Sequence, residues 1–265
     1  MRSLRFAALF LMCLSLSIPS IAQNPKKKRL LAVGMSAGWE HESVSDALVT
    51  MYELGKQSGL WDTWVRTDTN AITKKKLASN AKNLDYFDAV FFMTTGELPM
   101  DDQQKADLIS FVKEDGKGFL GAHNATDTFY KWPAYGEMIG GYFDGHPWNT
   151  FLATVIVSDR SFPATRHFPE GFQLVDEIYQ TKDFSPDKVR VLMKLDTSKV
   201  NMSAKGVHSK EIPITWVKEF GKGRVFYSGL GHPPDVWART DIRQMWLEAV
   251  KWAMGLTPAD VTPRP

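Results

Sequence analysis

Three histidines follow glycine-punctuated ends of apolar runs: His41 in "GWEHES", His123 in "GAHNATD" and His232 in "GLGHPPDVW". An imidazole titrates near neutrality, so at such positions it serves as a proton carrier or a metal ligand. A fourth, His146 in "FDGHPWN", lies in a less regular stretch together with "DEIYQ", which holds Asp176, Glu177 and Tyr179. Neighbours on a strand point to opposite faces, so only one of Asp176 and Glu177 can enter a given cleft, and Glu177 pairs with Tyr179 on the same side. His167 and His208 have polar surroundings and read as surface histidines.

This set supports two chemistries. His41, His123 and His232 with Glu177 would suit zinc or a similar divalent ion, because imidazole and carboxylate are its common ligands. No HExxH, HxH or paired-cysteine spacing occurs, so such a site must be assembled across loops. The alternative is acid–base catalysis, in which a histidine abstracts a proton and a carboxylate orients it. Whether a metal is bound stays open at this level. Trp39, Trp132, Trp148 and Trp237 flank the histidines and offer apolar faces for stacking on a sugar, with Glu40, Asn124 and Asp127 as polar neighbours. The turn "GMSAGWE" lacks the G-x-G-x-x-G phosphate fingerprint, which argues against nucleotide binding.

The elements that must position these groups alternate along the chain. Continuous apolar runs at "RLLAVGMS", "LWDTWVRT", "DYFDAVFFMTTG" and "GKGFLGAH" read as buried strands. Helical spacing of Val44, Leu48, Met51 and Tyr52 precedes Gly59, and a second helix runs from about Asp101 to Glu114 over Leu108, Ile109 and Val112. Strands alternating with helices imply a mostly parallel sheet covered on both faces. Ligands then bind outside the carboxyl ends of the strands, which is where His41, His123 and His232 fall. Further strands are expected in "FLATVIVSD", "FQLVDEIYQTKD" and "VRVLMKLDT", a polar loop over 196–210, and a hairpin turning at Gly221-Lys222-Gly223. A last helix from Asp241 to about Met254 presents Ile242, Met245, Trp246, Ala249, Val250 and Ala253 on one face.

The first 22 residues carry Arg2 and Arg5, an apolar run from Phe6 to Ile18 and a small-residue exit, the pattern of a cleaved secretory signal. The expected mature protein is therefore periplasmic or secreted, with a basic tail over 23–28, one domain over 29–256 and a C-terminal tail over 257–265. Without Arg2 and Arg5 the 32 basic residues fall to 30 and match the 30 acidic ones. A neutral chain lacks the basic face that nucleic acid needs. The apolar run is too short for a membrane span, and no later one is longer. Cys13, the single cysteine, lies in the signal, so the mature chain has no thiol for disulfides, thiolate sites or nucleophilic attack. A homo-oligomer is compatible with these features.

The motifs "GKGFLGAHNATD", "IGGYFDGHPW", "DEIY", "PITWVKEFGKGRVFYSGLGH" and "EAVKWAMG", in this order, resemble the trehalose-utilization (ThuA-like) family over about Arg29 to Leu256. The resemblance implies the class I glutamine amidotransferase-like fold, a flavodoxin-like three-layer α/β sandwich. In amidotransferase relatives the turn after the fourth strand presents a cysteine; here it presents His123, so glutamine hydrolysis through a thioester is excluded. The family association is with uptake and oxidation of trehalose and related disaccharides through 3-keto sugars, and some members are labelled secreted glycosyl hydrolases. Ordinary glycosidases need two flanking carboxylates, a pattern this chain fits poorly. A 3-keto sugar, with an acidified C2 proton and a leaving group on C1, needs a base instead: His123 or His232, oriented by Glu177, with His41, His146 or a metal stabilising the enolate. A non-catalytic sugar-binding protein and a metal-dependent hydrolase of esters or amides are the rival expectations.

Overall fold

Burial along the first strand shows why the sheet is covered on both sides. In β1 (Lys28–Ser36), Leu30 and Ala32 enter one core while Leu31 and Val33 enter another. The computed structural model describes residues 26–264, so the signal-like stretch and Cys13 lie outside the described residues. After β1 come α1 (Val44–Ser58), β2 (Trp61–Arg66), β3 (Ala89–Thr95), α2 (Asp102–Lys113) and β4 (Gly118–Ala122). A capping box fixes the start of α2: Asp101 accepts from the Gln104 amide and the Gln104 side chain accepts from the Asp101 amide. Gly59, left-handed at φ 69°, ends α1 as expected.

The middle segment holds a short α3 (Pro133–Ile139), β5 (Tyr142–Phe143), β6 (Thr150–Val157), β7 (Gly171–Glu177), β8 (Thr181–Lys182) and β9 (Arg190–Leu195). The hairpin of β10 (Pro213–Phe220) and β11 (Gly223–Ser228) follows, then α4 (Pro234–Ala238) and α5 (Thr240–Ala253).

Nine strands form one sheet in the order β2-β1-β3-β4-β11-β10-β9-β6-β7. The first five in that order run parallel, and β10, β9, β6 and β7 continue antiparallel. Three successive reversals after β10 return β7 to the direction of β11, so both strands end at the same edge. Helices α1 and α5 pack on one face with Trp246 and Trp252 fully buried, while α2 and α3 cover the other.

The apolar stripe foreseen for the last helix is buried at every position. Tyr52 is not: it is exposed, and Ala47 and Leu54 complete the buried face of α1 instead. Residues after α5 are fastened to the domain. Ala259 and Val261 pack on the core, Asp260 pairs with Arg190, and Arg264 bridges to β9. Among the described residues no helix is long and apolar enough to cross a membrane.

Candidate functional site

The site forms where β1, β4, β11 and β7 end. A sharp turn after β4 places His123 in positive φ at 37°, a conformation costly for any residue with a Cβ. Small neighbours permit it: a Cβ on Gly121 would lie 2.9 Å from Ile139 and 3.1 Å from Ala125. The Tyr227 hydroxyl donates to the His123 carbonyl at 2.7 Å and holds the turn. The His123 ring is wholly buried, with Tyr179 tilted over it at 4.3 Å between centroids. Its Nδ1 lies 2.8 Å from the Gly229 carbonyl, which makes Nδ1 the protonated nitrogen and leaves the Nε2 lone pair facing inward.

His41 arrives from the loop after β1 and uses the same device. Its Nδ1 donates to the Trp39 carbonyl at 3.2 Å, and its Nε2 accepts from the Tyr179 hydroxyl at 3.1 Å. Thr95 at the end of β3 steadies the loop by donating to the same Trp39 carbonyl at 2.7 Å. His232 follows β11, and its Nδ1 stands 3.1 Å from His123 Nε2 and 3.1 Å from Glu177 Oε2. Glu177 Oε2 is also 3.7 Å from His123 Nε2, and its Oε1 is 3.3 Å from Nδ1 of His146 at the rim. One donor atom from each of His41, His123, Glu177 and His232 lies within 4.8 Å of the others.

This centre is rich in lone pairs and poor in protons. His123 Nε2 and Glu177 Oε2 both face His232 Nδ1, and the single hydrogen that nitrogen can carry serves only one of them well. The spacings also suit a cation. Bonds of about 2.0–2.1 Å in a tetrahedral site put donors roughly 3.3 Å apart, close to the 3.1, 3.1 and 3.7 Å among His123, His232 and Glu177, with His41 within 4.8 Å of all three. Backbone carbonyls on the outer nitrogens of His41 and His123 fix ring orientation as metal-binding histidines require.

Electrostatics sort the same residues. Burial holds His123 well below the usual imidazole value, reinforced by the neighbouring imidazoles, and burial also lowers His41. His232 is raised, chiefly by its hydrogen bond to Glu177. Burial alone would raise Glu177, but the His232 hydrogen bond and the surrounding histidines outweigh it and hold the carboxyl below its ordinary value. Burial pushes Asp176 up to about 7 against three backbone N–H bonds.

The remaining residues predicted from sequence are placed around this centre or away from it. Trp39 projects into solvent at 76% exposure beside His41, and Glu40 is exposed next to it. Asn124 is fully buried, and neither amide atom has a protein partner. Asp127 is half-buried and accepts from Tyr130, with burial raising its carboxyl. Trp148 is partly buried and donates to the Asn201 carbonyl at 3.2 Å. Trp237 is a correction: it lies on α4, is 1% exposed and stacks on Trp246, so it is core and not a sugar platform. Trp132 packs between Phe129 and Tyr135 in the second core. His167 and His208 are exposed as expected. Asp176, for which residue type and spacing signal no role, accepts through its carboxylate from the amides of Glu177, Gly231 and His232.

A parallel α/β core with polar groups gathered at the strand ends and a strained turn after β4 is the architecture of the class I glutamine amidotransferase-like proteins. Within it the chain belongs to the ThuA family, described as trehalose utilisation, which matches residues 29–253. Among solved structures it is similar to a ThuA-like protein from Bacteroides uniformis, at 20% identity and TM-score 0.71 over 88% of this chain and 94% of that one. A ThuA-like protein from Parabacteroides merdae gives 16% identity and TM-score 0.66 over 86% and 90%. PurLQS from Thermotoga maritima gives 16% identity and TM-score 0.50 over 85% and 99%, which agrees with the amidotransferase-like fold. No curated protein matches the sequence.

Proposed function

We propose that this chain acts on an oxidised saccharide, a 3-keto sugar of the trehalose type, at a divalent-cation site held by His41, His123, His232 and Glu177. The observation that carries the reading is the convergence of three imidazoles and one carboxylate within 4.8 Å, with too few protons to satisfy their lone pairs. Membership of the trehalose utilisation family supports the substrate class. A cation bound there would polarise the sugar ketone and stabilise the enolate formed from it.

The protein's own groups supply the rest. His123 is fully buried, with Nδ1 bonded to the Gly229 carbonyl and the Nε2 lone pair turned inward toward His232 and Glu177, which suits a ligand better than a base in contact with substrate. His146 is the imidazole left outside the four donors; it is half-exposed at the rim, with Nδ1 3.3 Å from Glu177 Oε1. It takes the proton from C2, and the electron pair enters the enolate. Collapse of the enolate forms the C1–C2 double bond and breaks the bond from C1 to the glycosidic oxygen, which leaves with a proton. Return of the proton without cleavage gives isomerisation from the same intermediate. Trp39 offers an exposed aromatic face at the mouth for a sugar ring. The signal-like first 22 residues support action in the periplasm or outside the cell.

The test combines metal analysis with isotope exchange. Purified protein, dialysed and reloaded with zinc, manganese or cobalt, is incubated with 3-keto-trehalose in deuterated water. Deuterium at C2 or a released sugar is expected, at a rate that depends on metal and falls in His146→Ala. Absence of both exchange and product with every metal overturns the keto-sugar reading. Metal-dependent ester or amide hydrolysis without C2 exchange would point to a hydrolase at the same site.

A further inference from the structure

One carboxylate at the site takes no part in the chemistry above. Asp176 precedes Glu177 on β7, so its side chain leaves the opposite face of the strand, away from the four donors. It is fully buried, and among the described residues no lysine, arginine or histidine side chain forms an ion pair with it. Its partners are backbone amides: Oδ2 accepts from Gly231 at 2.8 Å, and Oδ1 accepts from His232 and Glu177 at 2.9 Å each. A buried carboxylate without an ion-pair partner is costly, and here it is offset by these three N–H dipoles, with the His232 imidazole adding to them.

Two of those amides belong to residues that supply donor atoms. Asp176 thus ties the backbone of His232, on the loop after β11, to that of Glu177, at the end of β7. The two strands are not neighbours in the sheet, since β10, β9 and β6 separate them. The loop needs such an anchor, because Gly231 is at φ 122°, a conformation a side chain would resist. Its carbonyl is held from the other side by the Ser43 hydroxyl at 2.8 Å and the Trp237 indole N–H at 2.9 Å.

We infer that Asp176 is a positioning residue that sets the 3.1 Å separation of His232 Nδ1 and Glu177 Oε2, so that the cation site is formed before an ion arrives. The inference rests on reading the four donors as a cation site. Asp176→Asn keeps the shape but turns one acceptor into an N–H group facing a backbone N–H.

The experiment titrates the full-length mature protein with Co2+ and records both affinity and the visible d–d spectrum. Asp159→Asn, which cuts a buried ion pair remote from the four donors, serves as a variant of lowered stability with an intact site. Asp176→Asn is expected to bind Co2+ about 10–100-fold more weakly with altered bands. Asp159→Asn should keep the wild-type affinity and spectrum despite a lower melting temperature. If Asp176→Asn does not fold, Asp176→Ser, which retains one small acceptor, carries the same comparison. Wild-type protein that binds Co2+ while the Asp176 variants match it within two-fold overturns the role of Asp176 alone. Wild-type protein that does not bind Co2+ overturns the cation reading itself.

Discussion

Gly96 holds two loops of the site at a distance that only a glycine allows. It follows β3 at φ 79°, and a Cβ there would lie 2.5 Å from the Gly38 nitrogen and 2.7 Å from the Ala37 carbonyl carbon. Ordinary contact begins at 3.4 Å, so Gly96→Ala drives the loop after β1 back by about 1 Å. That loop carries His41, and it is tied down by Ala37 N–H on the Thr95 carbonyl at 2.9 Å and by Thr95 on the Trp39 carbonyl at 2.7 Å. Left-handed strain costs about 1–3 kcal/mol, and for a chain of this size each kcal/mol lowers the melting temperature by roughly 2–4 °C. A ligand displaced by ~1 Å exceeds the ~0.5 Å tolerance of a built site, so zinc affinity should fall roughly 10–100-fold. Gly59→Ala is the control: Gly59 has φ 69° with nothing within 4 Å, so it bears the backbone strain without displacing a loop. The assay is chelator competition for zinc alongside thermal melts of both variants. Equal zinc affinity in Gly96→Ala and Gly59→Ala would refute the reasoning.

Cutting the buried pair between Arg190 and Asp159 by Asp159→Asn should lower stability in chemical denaturation by less than the roughly 3–5 kcal/mol of a fully orphaned buried charge, because Arg190 keeps Asp260, while leaving metal binding intact. Burial raises Asp159, but Arg190 and Ser161 outweigh it and hold the carboxyl below 3.8. Its contribution to stability is therefore complete above the ordinary carboxyl value and is lost as pH falls from there through the lowered value of the folded state, so the wild-type advantage should shrink in acid melts. Asn124→Ala should be close to neutral or stabilising, against the usual loss at a buried site, because its amide has no protein partner and an unmet buried polar group costs about 1–3 kcal/mol; a strong loss of stability would contradict this. Trp39→Ala should change stability by less than about 0.5 kcal/mol yet weaken disaccharide binding in calorimetry, since its ring is exposed beside His41.

The alternating core was legible because fully buried strands leave continuous apolar runs, as at Leu30–Val33 and Ala89–Met93, and because the helices between them fix the parallel order. The gathering of His41, His123 and His232 followed from that topology, since each leaves a strand at the same edge. Periodicity could not show α3 or α4. Each is about two turns or fewer, and Pro133 and Pro234 look like breakers although both open helices. Trp237 was misplaced for that reason, being buried by a helix whose sequence resembles a loop. Asp176 was hidden for a different one: its partners are backbone amides, which no residue pattern announces. The alternation of β7 that sends Glu177 toward the histidines sends Asp176 under the loop that carries His232.

The strained turn after β4 can now be explained without a nucleophile. A group that attacks substrate must be reachable, whereas His123 has no exposed surface and lies beneath Tyr179. Its positive φ lets Nδ1 meet the Gly229 carbonyl while its own carbonyl accepts from Tyr227. These two bonds lock the ring so that Nε2 faces His232 and Glu177. The backbone cost at His123 therefore secures the direction of one lone pair. That is the requirement of a ligand in a shared centre, and it explains how the turn can keep its shape with no thiol in the described chain.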